Sequence, residues 1–288
     1  MKYVLFIGIL SILSGSLASC NQESTTNDNK PVKLLFHFEQ DSTYKYLVKS
    51  DIEIKPQIGD KDISITQGMT IACKYKKTSS RGTSSNMSVT YDRIMISSGN
   101  DQNRLEFDSD HDNGVGKVFQ SIREVIHQPF EMVITPYGNI ITSSGIADPN
   151  NKGKYFSDTA FQKVMLQALQ IYPKKIIQPG DIWERKFTSS IGFIHVEIVN
   201  NYKLMFVNND VAHIELTGRI NATNDNRQKI DINGIQRGSM DVALNSGLVT
   251  NGKMEQQLSG LLYLNGKETP VSINATTHIM GTKAEIPE

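Results

Sequence analysis

The stretch Ile134–Thr142, ITPYGNIIT, places a tight turn between two short apolar runs. Pro136 presets φ for the first central position of a type I turn, and Gly138 accepts the left-handed conformation that closes a hairpin through a bulge. The device returns as ALNSGLVT, Ala243–Thr250, where Asn245 and Ser246 can form the turn and Gly247 takes the left-handed place. Each turn is followed by a short apolar pair and a Thr. Two copies of one hairpin predict a β protein with an internal duplication.

Working outward, side chains alternate with period two along most of the chain. Tyr44, Tyr46, Val48, Ile52 and Ile54 share one parity, with Lys45, Lys49, Asp51 and Glu53 on the other. Ile63–Tyr75, Met87–Met95, Ile194–Phe206, Ala212–Ile220 and Val271–Ile279 repeat the pattern. One wet face and one dry face mean antiparallel sheet. The length of these runs points to long, bent strands. Cys73 falls on the dry parity and is expected to act as a small buried hydrophobe.

Two segments carry helical spacing instead. One is Val115–His127, with Val118, Phe119, Ile122 and Ile126 on one face. The other is Tyr155–Tyr172, with Phe161, Val164, Met165, Ala168 and Leu169 on one face, Ser157 as N-cap and Pro173 as the stop. The fold class expected is therefore mainly β: long, curved antiparallel sheets in two similar halves with one or two α-helices. Asp41-Ser-Thr-Tyr44 before the first strand is echoed by Gly180-Asp-Ile-Trp183, and Met87–Ile94 by His213–Ile220, in the same order as the hairpins. The halves expected are residues 32–172 and 173–288, either as two domains or as one continuous sheet.

The 288 residues carry thirty basic and thirty acidic side chains, a net charge of zero. That balance disfavours nucleic acid as a partner, because such binding usually rests on a basic excess. The N-terminus has the form of an export signal: Lys2, the apolar run Tyr3–Leu13, then small residues. Leu17-Ala18-Ser19-Cys20 resembles the lipobox of bacterial lipoproteins, which implies cleavage after residue 19 and acylation, with palmitate among the chains, at Cys20. Two or three chains, at roughly 0.8 kcal/mol per buried methylene, anchor a protein firmly without a spanning segment. Residues 20–31 then read as lipidated Cys and flexible tether. The address expected is the cell envelope, at the outer membrane, with the periplasmic and surface faces both open.

Lipobox, tether, alternating strands, the hairpin Phe130-Glu-Met-x-Ile-x-x-x-Gly138 and Gly180-Asp-x-Trp183 together resemble an uncharacterised family of secreted lipoproteins, a domain of unknown function. The resemblance implies no catalytic residues. Curved sheets cupping helices are also loosely similar to the half-barrels of lipoprotein-carrier proteins, which implies an apolar concavity that holds acyl chains.

Motifs for chemistry are sparse. Asp108, Asp110 and Asp112 have the one-three-five spacing of a calcium loop, but Asn113 stands where Gly is needed and Phe119 where a bidentate Glu is needed. They form a weak cation candidate, or a solvated turn. The histidines show neither HxH nor HExxH spacing, and no cofactor loop is present. Ser42-Thr-Tyr-Lys45 matches SxxK formally, yet Ser42 and Lys45 would face opposite sides of a strand. Asp41-Ser42-Thr43 and Asp158-Thr159-Ala160 resemble bacterial O-glycosylation acceptors, which makes Ser42 and Thr159 glycosylation candidates. Trp183 either seals core or stacks on a ligand. The reading that follows is a lipid-anchored, non-catalytic envelope protein that binds a hydrophobic ligand or an envelope protein, with no cofactor. The rival is a hydrolase acting on envelope glycans or lipids, whose carboxylates meet only in the fold.

Overall fold

A computed structural model describes residues 30–59, 61–100, 102–111, 119–144, 171–191, 194–224, 230–264 and 267–284. The strands are β1 (Thr43–Ile58), β2 (Lys61–Asp62), β3 (Ile65–Arg81), β4 (Ser84–Gly99), β5 (Arg104–Asp108), β6 (Phe130–Ile134) and β7 (Ile140–Ser144) in the first half. They continue as β8 (Ile182–Ile191), β9 (Ile194–Asn208), β10 (Val211–Thr223), β11 (Ile230–Ala243), β12 (Val249–Leu264) and β13 (Lys267–Lys283). All belong to one 13-stranded antiparallel arrangement, ordered β7-β6-β4-β3-β1-β13-β12-β11-β10-β9-β8, with β2 on β1 and β5 on β4. The features that echo one another in sequence fall on equivalent strands. β1, β3, β4, β6 and β7 step across the sheet as β8, β9, β10, β11 and β12 do, and β13 joins the two runs by pairing with both β12 and β1.

The period-two pattern is the physical basis of this sheet. On β1 every second residue from Tyr44 to Ile54 is buried, and on β13 every second residue from Val271 to Ile279. Register pairs Val48 with Ile279 and Ile54 with Ile273, so the dry parities of first and last strand share one face. Cys73 is 1% exposed on that face, and burial pushes its thiol pKa up to about 12.

The sheet curls until its edges meet. In a flat sheet, at about 4.8 Å per step, β7 and β8 would stand roughly 48 Å apart. Instead Arg185 on β8 donates to Asn139 Oδ1, in the β6–β7 turn, at 2.7 Å. Right-handed strand twist accumulated over many strands gives such closure. The dry face lines the inside.

One end of this incomplete barrel is plugged by the chain preceding β1. Val32 pairs with Ile177, Phe36 N–H donates to Pro136 O, and His37 N–H donates to Ser246 O. The segment thus threads between the two hairpin turns. Within it Phe36 packs at a tilt on Phe38, which stacks on Tyr44, and Tyr172 OH donates to Gly247 O at 2.6 Å.

Gly138 and Gly247 both take positive φ, 75° and 71°. The two turns are nonetheless not identical. Thr135 and Asn139 bracket three residues, with Gly138 N–H on Thr135 O, whereas Ala243 and Leu248 bracket four, with Gly247 N–H on Ala243 O. The second turn is one residue longer than the sequence reading made it. A second difference concerns the helices. Of Val115–His127, residues 119–127 are described and contain a single helical turn, α1 (Gln120–Arg123). The body of the Tyr155–Tyr172 segment lies outside the described residues. Its last two residues, Ile171 and Tyr172, belong to no helix or strand and are buried.

Gly247→Ala tests the threaded segment. A Cβ there would lie 2.1 Å from Leu35 O, on top of the left-handed penalty of about 1–2 kcal/mol. At Gly82, with φ of 61°, a Cβ would meet no atom within 4 Å. Gly247→Ala is expected to cost about 2–3 kcal/mol, roughly 5–10 °C in Tm, and Gly82→Ala about half as much. Equal losses would contradict the packing of Leu35 on the turn.

Candidate functional site

A row of inward side chains crosses the dry face perpendicular to the strands. Register places Arg185 opposite Asn200, Asn200 opposite Gly218, Gly218 opposite Gln236, and Gln236 opposite Gln256. The same row continues through Ala275 and Ile52 to Gln67 and Ser98 on the far side. Of the rows on either side, one carries Ile198, Ile220, Leu258 and Ile273, and the other mixes Leu216, Met254 and Met69 with Gly238, Thr277 and Ser50. The result is a polar belt around a greasy interior.

The belt holds together because a glycine sits in it. Gly218 has no side chain, so Asn200 and Gln236, two strands apart, reach over β10 and bond directly, Gln236 Nε2 donating to Asn200 Oδ1. Gln256 Nε2 donates to Gln236 Oε1 at 3.1 Å, and Asn200 Nδ2 to Tyr202 OH at 3.1 Å. All four of these side chains are at most 3% exposed. Buried amides are tolerated only when so paired. Across the barrel, Gln67 Nε2 donates to Ser98 Oγ, and Ser50 and Thr277 share a buried bond of 2.9 Å one row away.

This lining carries few charges, and Lys77 is buried on the same parity of β3 as Cys73 and Tyr75. Burial pushes the Tyr202 hydroxyl up to about 12, and burial likewise raises Tyr46, Tyr75 and Tyr172. The Arg185 guanidinium, lowered by desolvation, is the one cation in the belt. No Asp or Glu is among the buried residues described.

The residues singled out by sequence lie elsewhere. Asp108 accepts two bonds from Arg93, Nε to Oδ1 at 3.0 Å and Nη2 to Oδ2 at 2.6 Å, plus contacts from His111 and the Asp110 N–H. The Arg93 bonds hold its carboxyl well below the usual carboxylate range. Asp110 reaches the same guanidinium at 3.3 Å. The charge that gathers these carboxylates is thus an arginine of the chain itself, and Asp112 lies outside the described residues. Ser42 is buried, its hydroxyl directed at Glu39, so a sugar could be attached only by displacing its neighbours. Cys20 and Thr159 lie outside the described residues. Trp183 is on the inner face, stacked on Tyr202 and donating Nε1 to Ile171 O at 2.7 Å.

Sequence reasoning passed over the belt. Its signal was present as Asn, Gly and Gln at inward parity, which reads as a lapse in the alternation rather than as a feature.

Gly218→Ala should break the belt, since its Cβ would fall 2.2 Å from Asn200 Oδ1. The expected loss is about 2–4 kcal/mol in chemical denaturation. Adding Asn200→Ala should recover part of that loss, because the clash partner is gone. Strict additivity would show that the two residues do not meet.

Comparison with known proteins bears on fold and family. A search of curated proteins finds no match. Among solved structures, lipovitellin, described for its lipid–protein interactions, aligns with a TM-score of 0.49 at 13% identity. The alignment covers 88% of this chain and 26% of that one, so the chain spans about a quarter of lipovitellin's length. An outer membrane channel of Pseudomonas putida F1 aligns at 0.20 and 7% identity, over 91% of this chain and all of the channel. A DUF1329 family protein of Desulfovibrio piger aligns at 0.16 and 9%, over 84% of each chain. At such scores none bears on activity. The sequence comparison is firmer: one family profile matches residues 82–152 and again 149–249, and each match contains one of the two hairpin turns. The duplicated match spans more than half of the sequence, and the chain belongs to the family of unknown function DUF6263.

Proposed function

We propose that this chain is a non-catalytic, lipid-anchored protein of the cell envelope, moored at the outer membrane through Cys20, whose curled sheet binds a hydrophobic ligand on its inner face. The observation that carries the reading is that inner face: apolar along most of the long strands, crossed by one belt of amides that ends at Arg185, and closed on itself by Arg185 and Asn139. Apolar concavities with a few placed polar groups are the usual form of small-molecule sites. The anchor rests on the sequence Leu17–Cys20, and among the described residues no helix is long and apolar enough to cross a membrane. A protein partner in the envelope is the alternative occupant. The second reading is a hydrolase acting on envelope glycans or lipids, which would need facing carboxylates.

Native mass spectrometry of the chain extracted from its own membranes tests this. A stoichiometric, removable apolar adduct is expected, together with labelled palmitate that incorporates into the wild type and not into Cys20→Ser. A stoichiometric protein partner with no apolar adduct would favour the alternative. Absence of both the adduct and the label would overturn the proposal.

A further inference from the structure

The belt stops one partner short. Gln256 is 1% exposed and donates through Nε2 to Gln236, yet its Oε1 meets no hydrogen-bond partner. Beyond it the row continues into Ala275 and Ile52, which offer nothing polar. A buried carbonyl left in this state costs free energy that an apolar residue would not. The next inward positions of the same strand, Met254 and Leu258, show what packing alone selects there.

The chemistry of the missing partner follows from the belt's own freedom. Its three carboxamides run from Gln256 through Gln236 and Asn200 to the Tyr202 hydroxyl. Rotating all three reverses the direction: Tyr202 donates, and Gln256 leaves its NH2 rather than its carbonyl without a partner. A hydroxyl donates and accepts, so it satisfies the belt's end in either direction. A carbonyl satisfies one direction, and a bare hydrocarbon neither. An ionised head group would have to surrender its hydration beside neutral amides, with Arg185 already held by Asn139.

Building on the reading of the inner face as a hydrophobic-ligand site, we propose that Gln256 determines selectivity there. The ligand class is a neutral lipid with a free hydroxyl, seated at Gln256 with its hydrocarbon along the apolar row beside the belt.

The test uses the full chain with Cys20→Ala, which carries no acyl anchor of its own. Displacement of N-phenyl-1-naphthylamine is measured with 1-hexadecanol and with hexadecane. Hexadecanol is expected to displace about five- to tenfold better, the worth of one hydrogen bond. Gln256→Met should lose that preference, read as the ratio of the two displacement constants whatever the fluorophore's own affinity becomes. Gln256→Asn, which withdraws the amide by one methylene, should lose it too if the Met variant does not fold. Equal displacement by both probes in the unsubstituted belt overturns the selectivity proposal and leaves the binding reading intact. A fluorophore that never binds overturns both.

Discussion

The first long strand pairs with the last. β1 meets β13 from Tyr44 to Pro56, across more than two hundred residues of intervening chain, and everything else in the sheet is a meander hung from that seam. Without it the two runs of strands would each present a long unpaired edge, the arrangement most exposed to wrong pairing. The seam also aligns the dry parities of both halves on one face, with Ser50 and Thr277 bonded in its middle. Register leaves no slack: a slip of one residue would turn Val48 and Ile52 to water. Pairing the chain's ends requires closing a very long loop, so this contact is entropically dear and belongs late in folding.

Given that seam, curvature decides the rest. A sheet this wide either flattens against a second layer or rolls up. Here Arg185 and Asn139 hold the roll, and the segment from Val32 to Phe38 stoppers one end by hydrogen-bonding to both hairpin turns. The turns are thus more than connections. They are the two seats on which the entering chain rests, which explains why a glycine of the same conformation recurs in each.

Much of this was legible. Alternation located β1, β3, β4, β9, β10 and β13, and Pro136 with Gly138 gave the first turn correctly. β11 and β12 were not read as strands beyond their shared turn, because their inward positions include Gly234, Gln236, Gly238, Gly252 and Gln256, and the hydrophobic period fails there. The belt hid the strands that carry it. The pairing of Asp108 with Arg93 was equally out of reach, since the two meet only after β4 and β5 are laid side by side. The contact between Arg185 and Asn139 depends on total curl, which no local pattern encodes.

Trp183, the single tryptophan of the chain, stands on the inner face in contact range of Tyr202 and one row from the belt. Its fluorescence is therefore the most direct report on whether a guest enters the barrel. Titration with an acyl lipid brominated along its chain is predicted to quench Trp183 saturably, while the same lipid without bromine leaves the intensity in place. Lipid that binds with no bromine-dependent quenching would place the guest outside the curled sheet and contradict the account.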